Sequence, residues 1–296
     1  MPPRSAVRAK GLTKHFGPVR AVESLDLTVR TGEVFGYLGP NGAGKTTTIR
    51  LMLDFIRPTS GEVSVLGSRP RDHETRRRIG YLPGELALDP RYTPRDVFEF
   101  YGKLRGGVDW PVVEALAARF DLDIGRRIGQ LSTGNKRKVG VVQAFMHRPE
   151  LLVLDEPTSG LDPLLQHEFH ELVRETSGEG ATVFLSSHAL AEVEDLAERV
   201  AILRRGRLVK VARVDELRRT ARQHIDLYFD RRVDAKPFAR LPEVVEATAA
   251  DGLVRLVVSG RVEGVLRTAA RLHARRIVSP EAELEQVFLD LYREPT

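Results

Sequence analysis

From Gly39 the chain runs Gly39-Pro40-Asn41-Gly42-Ala43-Gly44-Lys45-Thr46. Glycines at this density let a loop turn successive backbone N–H groups inward around phosphate oxygens. A lysine directly before a threonine adds a cation for the β- and γ-phosphates and a hydroxyl suited to Mg²⁺. The eight positions satisfy the phosphate-loop pattern. Thr47, next along the chain, completes the expected phosphate-binding set. A second group lies far downstream, where the apolar run Leu151–Leu154 ends in Asp155-Glu156. Asp155 suits Mg²⁺, reached through water, and Glu156 suits a general base acting on an attacking water.

Both groups need a frame. Val34–Leu38 is a short apolar run entering the glycines, which marks a buried strand, and Thr46–Phe55 has the pattern of a helix. Strand, glycine loop and helix in that order set a helix N-terminus under the phosphates. Leu151–Leu154 and Val183–Leu185 are further apolar strands, and Val200–Leu203 with Arg207–Val211, split by Gly206, forms a closing hairpin. Val7–Leu12 and Leu25–Val29 flank a turn at Gly17-Pro18. Helices are expected over Pro111–Phe120 and Thr133–Met146, and one starting at Pro94 with Thr93 as its cap and Asp96 closing a capping box. Strands alternating with helices predict a parallel sheet covered on both faces, at whose C-terminal edge ligands bind.

Several further segments stand in a fixed order around these two groups. Leu131-Ser132-Thr133-Gly134-Asn135 resembles the LSGGQ signature of the ABC ATPases, Ser159-Gly160-Leu161-Asp162 resembles their D-loop, and His188 resembles their switch histidine. Phe16 stands where that family stacks an aromatic ring on adenine. The resemblance covers about residues 6–215. It implies an α/β fold: a P-loop NTPase core of the ABC type with an N-terminal antiparallel β layer and a helical subdomain at about 86–146. It also implies ATP and Mg²⁺ as ligands, with Glu156 and His188 catalytic and Thr46 and Asp155 at the metal. Two copies would pair head to tail, so that Ser132, Thr133, Gly134, Asn135 and Asp162 serve the partner's ATP. A separate polytopic permease would hold the chain at the cytoplasmic face of a bacterial membrane.

The resemblance narrows and also departs. Gly36–Arg50, the LSTGN form and a C-terminal extension resemble exporter ATPases of the antibiotic-resistance type, including the daunorubicin/doxorubicin group. The alternative is an ABC ATPase working on ribosomes or DNA. Thr133 and Asn135 replace Gly and Gln of the consensus, small polar changes that leave a phosphate cradle possible. At position 84 the family's Q-loop glutamine is expected, and Gly84 has no side chain to meet Mg²⁺ or transmit to a permease. Either Glu85 substitutes for it or the role is reduced.

Composition sets outer bounds. The absence of cysteine excludes disulfides and thiolate metal sites. No run of apolar residues is long enough to span a bilayer, and the first residues have no secretory core, so the membrane part is expected from another chain. The net charge of +5 is spread along the sequence without an aromatic-plus-basic stripe, so no nucleic-acid partner is expected. His167 and His170 flank Glu168 without a zinc-site spacing and belong to a solvated helix face. Beyond about residue 218 the texture changes: Ile225, Leu227 and Phe229 alternate, Val262, Val265, Leu266 and Ala269 keep helical spacing, and Ser279-Pro280 begins a last helix carrying Leu284, Val287, Phe288 and Leu291. The expected domains are therefore 1–218, the ATPase, and 219–296, a small α+β accessory domain.

Overall fold

Short, largely apolar runs such as Val34–Leu38, Leu151–Leu154 and Val183–Leu185 can bury both faces inside a sheet covered on each side, and that is where they lie. The computed structural model describes residues 5–220 and 222–279. The division between its two compact units falls between Val211 and Ala212.

In the first unit, β1 (Ser5–Phe16) and β2 (Val19–Arg30) form a hairpin, joined on the far edge of β1 by β4 (Ser60–Val65). The central sheet has the order β5-β6-β7-β3-β8-β9. Its strands are β3 (Val34–Leu38), β5 (Ile79–Leu82), β6 (Leu151–Asp155), β7 (Thr182–Ser187), β8 (Arg199–Arg204) and β9 (Arg207–Arg213). The pairs β5–β6, β6–β7, β7–β3 and β3–β8 are parallel. Register sets Asp155 beside Ser186, and Leu38 beside Ser187. The ends of β6, β7 and β3 thus share one edge, and the loops that leave them meet there.

α1 (Lys45–Met52) follows β3, and the Tyr37 hydroxyl meets the Thr48 hydroxyl at 3.0 Å to pin the two together. The helix was expected to reach Phe55. It stops earlier because Asp54 turns left-handed (φ 55°) and the Phe55 N–H folds back onto the Arg50 carbonyl at 2.8 Å. The core between the sheet and the antiparallel layer includes Leu12, Val22, Phe35, Tyr37, Ile49, Val153 and Phe184. Phe184 is fully buried, its ring 5.0 Å from that of Tyr37, so truncating it to alanine should cost about 3–5 kcal/mol.

α2 (His73–Arg77) precedes β5. α3 (Pro94–Lys103), α4 (Trp110–Arg119) and α5 (Thr133–Phe145) then pack around Phe98, Val113, Ile128, Val139 and Val142, a core of their own. Thr93 and Asp96 do form the capping box. Trp110 is the first residue of α4; it packs against this core and under the Arg95 guanidinium. α6 (Pro163–Gly178) and α7 (Leu190–Leu196) complete the unit.

The second unit has α8 (Val214–Thr220), α9 (Lys236–Ala239), α10 (Glu263–Arg271) and an antiparallel sheet. The sheet order is β11 (Val244–Ala250), β12 (Leu253–Ser259), β10 (Arg222–Tyr228), β13 (Arg276–Val278). Ile225, Leu227, Phe238, Val254, Leu256, Val265 and Ala269 form its core. Of the helical set expected here, Leu266 lies on the exposed side instead. The division at Val211 precedes the change of texture near residue 218, because α8 groups with the second unit while carrying ordinary helical composition. The last expected helix, with Leu284 to Leu291, lies outside the described residues.

Candidate active site

The glycine loop is shaped by close approach. At Gly44 the backbone is left-handed (φ 106°), and an added Cβ would lie 2.4 Å from the Ala21 carbonyl. At Gly39 it would meet Ala43 and the Leu203 carbonyl at 2.9 Å. No other residue type fits either position without moving β2 or β8. The Gly206 N–H donates to the Ala43 carbonyl at 2.9 Å, and the Glu23 N–H to the Gly206 carbonyl at 2.8 Å, so β2 and the β8–β9 turn hold the loop from outside. The Ala43 N–H donates back to Pro40 at 3.1 Å, while Pro40, Asn41 and Gly42 face solvent.

Lys45 is buried, and its ammonium donates to the Gly39 carbonyl at 2.6 Å and more weakly to Pro40 at 3.4 Å. It also lies 3.3 Å from Glu156 Oε1, close enough for charge attraction without a hydrogen bond. The exposed Thr46 hydroxyl donates to Asp155 Oδ2 at 2.9 Å, and Thr47 follows half-buried on the same first turn. Asp155 is itself 2% exposed, and its other oxygen, Oδ1, has no hydrogen-bond partner.

Glu156 leaves the end of β6 in a left-handed conformation (φ 48°), while its N–H stays on the Ser186 carbonyl at 2.8 Å. That backbone is uncommon for a glutamate and turns the side chain toward His188. His188 Nδ1 lies 2.6 Å from Glu156 Oε2, and the His188 N–H donates to the same oxygen at 3.3 Å. Lys45, Glu156 and His188 form one chain of contacts; Thr46 and Asp155 form a second beside it.

The remaining expected residues lie apart from that set. Ser132 caps α5 by accepting from the Asn135 N–H at 3.2 Å, and Ser132 and Thr133 are exposed. A Cβ at Gly134 would meet the Gly160 carbonyl at 3.1 Å, so the signature segment sits against the 158–162 loop. Asp162 caps α6 by accepting from the Leu165 N–H at 3.0 Å. Among the described residues no hydrogen bond joins these positions to 39–47. Phe16 ends β1, half exposed beneath the Lys14 ammonium, and pairs across the turn with Val19. A Cβ at Gly84 would come within 3.5 Å of Asp155 Oδ2, and Glu85 is exposed. His170 pairs with Asp195 at 2.9 Å, and no cluster of metal-ligating side chains includes it among the described residues.

Two residues were not singled out in the sequence. The buried Arg137 guanidinium donates to the carbonyls of Pro83, Gly84, Asp155, Glu156 and Pro157. Burial depresses its pKa to about 10, against the opposing fields of Asp155, Glu192 and Glu156, so it stays charged at neutral pH. Glu192, on α7, is buried without a well-formed hydrogen bond to either oxygen. Burial raises its pKa, partly offset by the nearby hydroxyls of Ser187 and Thr158.

Comparison with known proteins matches residues 22–159 to the family described as ABC transporter. A bacitracin transport ATP-binding protein of Enterococcus faecalis is 33% identical over 294 residues, 96% of this chain and 96% of its own. A daunorubicin resistance ATP-binding protein of Streptomyces coeruleorubidus is 35% identical across 97% of this chain and 96% of its own. The chain belongs to the ABC transporter ATP-binding family. A solved ATP-binding subunit of an ABC transporter has the same fold, with TM-score 0.67 and 30% identity, covering 73% of this chain and 92% of that one. The ABC subunit described here is accordingly an ATPase, and no helix among its described residues is long and apolar enough to cross a membrane.

Proposed function

We propose that this ABC subunit drives export by hydrolysing ATP between two copies of itself, coupled to a separate membrane permease. The observation that carries the reading is the separation of two phosphate-binding elements. The glycine loop and its acids converge at the strand ends. The capped N-terminus of α5, a second anion-attracting element, presents the exposed Ser132 and Thr133 and, among the described residues, makes no hydrogen bond to the glycine loop. In a head-to-tail pair, Ser132, Thr133, Gly134, Asn135 and Asp162 of one copy would close over ATP held by Gly39–Thr47 of the other, with Phe16 against the adenine.

Within one site, Lys45 holds the β- and γ-phosphates and Glu156 takes a proton from the attacking water. His188 orients that carboxylate through Oε2. The residues fit Mg²⁺: a hydroxyl and a carboxylate side by side, with one buried carboxylate oxygen free to accept, supply hard oxygen donors. Bound there by Thr46 and Asp155, the ion would neutralise phosphate charge. Mg²⁺ is commonly held by one or two protein ligands plus phosphates, so the lack of a three-ligand cluster among the described residues is compatible with it. The exposed Phe55, Phe100 and Leu104 offer apolar surface for a permease on the cytoplasmic side of the membrane. Export is supported by the bacitracin and daunorubicin relatives, which align through the C-terminal unit as well.

The test is purification from membranes with native neighbours retained. Copurification with a polytopic membrane protein, and ATPase stimulated by drug-like cargo in that complex, is the expected result. Copurification with ribosomes or DNA instead would refute export.

A further inference from the structure

Arg137 stands on the helix that Ser132 caps, but its guanidinium is turned inward. Its Nε donates to the Pro157 carbonyl at 2.9 Å, Nη1 to Pro83 at 2.5 Å and Gly84 at 3.1 Å, and Nη2 to Asp155 at 2.9 Å and to Glu156. A guanidinium has five N–H donors in a rigid planar fork, and here five carbonyls surround it. Among the described residues no carboxylate forms an ion pair with it. A charge buried against main-chain oxygens alone is an expensive way to stabilise a fold. What the arrangement does supply is connection. One side chain joins the signature helix, the loop after β5 and the loop that carries both acids.

The loop after β5 is where a coupling side chain is missing. Gly84 offers nothing beyond its backbone, yet that backbone lies against the Asp155 carboxylate. The Arg137 fork holds the Gly84 carbonyl and the Asp155 and Glu156 carbonyls together. We infer that Arg137 is the positioning residue that couples movement of α5 and the 83–84 loop to the catalytic acids, replacing a side-chain link at position 84 with a main-chain clamp. The inference rests on the proposed roles of Asp155 and Glu156.

Lysine at 137 keeps the charge and loses the fork, because a point ammonium cannot span carbonyls on three segments. Position 84 also accepts a side chain: its φ is not left-handed, and a Cβ there makes ordinary contact at 3.5 Å. Gly84→Gln can therefore supply the missing side-chain link. Misplaced acids should lower kcat about 10- to 100-fold in Arg137→Lys. ATP affinity measured in EDTA should stay at the wild-type value, because the glycine loop is untouched, while the thermal midpoint falls modestly as the carbonyls lose part of the fork. Gly84→Gln alone should be silent, and combined with Arg137→Lys it should recover most of the lost kcat.

Wild-type kcat in Arg137→Lys, or a parallel fall of affinity, midpoint and kcat that Gly84→Gln does not relieve, would overturn the inference. Hydrogen exchange on the wild-type protein tests it without any variant. ATP should change protection of the 83–88 segment and of the first turns of α5 together, and a change in only one of them refutes coupling. Glu156→Gln separates the two levels: wild-type turnover in that variant removes the proposed site itself, whereas an inactive Glu156→Gln beside a fully active Arg137→Lys removes only the clamp.

Discussion

Replacing Glu156 by glutamine should do two things at once: abolish most turnover and tighten ATP binding. Glutamine keeps the shape of the side chain and the backbone strain at φ 48°, so the fold contributes little to the difference. It removes the proton acceptor, which should lower kcat by about 10²–10⁴-fold. It also removes the charge that holds Lys45 at 3.3 Å. At an effective dielectric of about 20, the gross attraction over that distance is about 5 kcal/mol. The carboxylate is 21% exposed, and Lys45 keeps its carbonyl partners, so the net worth falls toward the ~1 kcal/mol of partly solvated pairs. Releasing Lys45 to the phosphates should then tighten ATP binding about fivefold. Loss of a negative charge beside the γ-phosphate acts in the same direction. Titration of ATP in EDTA reads the affinity, and phosphate release in Mg²⁺ reads turnover. Weaker binding would refute the competition between Glu156 and phosphate for Lys45; wild-type turnover would refute the base.

Lys45→Ala should weaken ATP binding by at least about tenfold, since a charge-assisted contact to phosphate is lost; unchanged affinity with slower hydrolysis would confine Lys45 to the transition state. Ser132→Arg should leave monomer binding intact and abolish cooperative hydrolysis, while heterodimers with Lys45→Ala subunits retain one intact composite site. Inactivity of such heterodimers, once shown to form, would count against the head-to-tail pair. Glu85→Ala should leave the isolated subunit's ATPase and Mg²⁺ requirement within about twofold and reduce only permease-stimulated activity, as expected of an exposed rim residue. His147, whose pKa burial and then the Arg105 charge press down to about 4 despite its bond to the Ile79 carbonyl, should make stability pH-dependent. Its contribution is complete above the unfolded value of 6.5 and is lost as pH falls toward 4, by at most roughly 3 kcal/mol. Denaturation of wild type and His147→Gln at several pH values should show a difference confined to that window; parallel curves would contradict it.

What the sequence made legible was whatever a residue type must do locally. Val34–Leu38 and Leu151–Leu154 are short apolar runs buried in the sheet, and Gly39 and Gly44 are required by contacts as close as 2.4 Å. Thr93 caps its helix through the local hydrogen bonds that its spacing from Asp96 suggests, whereas the capping roles of Ser132 and Asp162 emerge only in the structure. What stayed hidden has no residue-level mark. β4 and β11 are largely exposed, β4 being mostly polar and β11 mostly small apolar residues, so no alternation separates them from loop. The four-residue β5 is too short for a periodic signal. Arg137 stood among Lys136 and Lys138 as one more basic residue, and its partners are main-chain carbonyls, which every sequence has. Glu192 was likewise masked by Glu194 and Asp195 on the same short helix.

Those two hidden residues change how the charge of the site is understood. Seen from the glycine loop, Asp155 and Glu156 face one cation, Lys45, which phosphate will claim. If that were the whole balance, ATP would arrive at one buried and one half-buried acid just as it drew their nearby cation away. Arg137 lies behind the same acids on their own carbonyls, and its charge does not depend on nucleotide. Glu192 would add a third negative charge nearby, but burial favours its protonated form, and the Ser187 and Thr158 hydroxyls only partly oppose that shift. Glu192→Gln should therefore change the site's field little at the acid end of its titration and progressively more as pH rises. Fixed compensation behind the acids and exchangeable compensation in front of them let Lys45 move from Glu156 to phosphate without leaving the acids uncompensated.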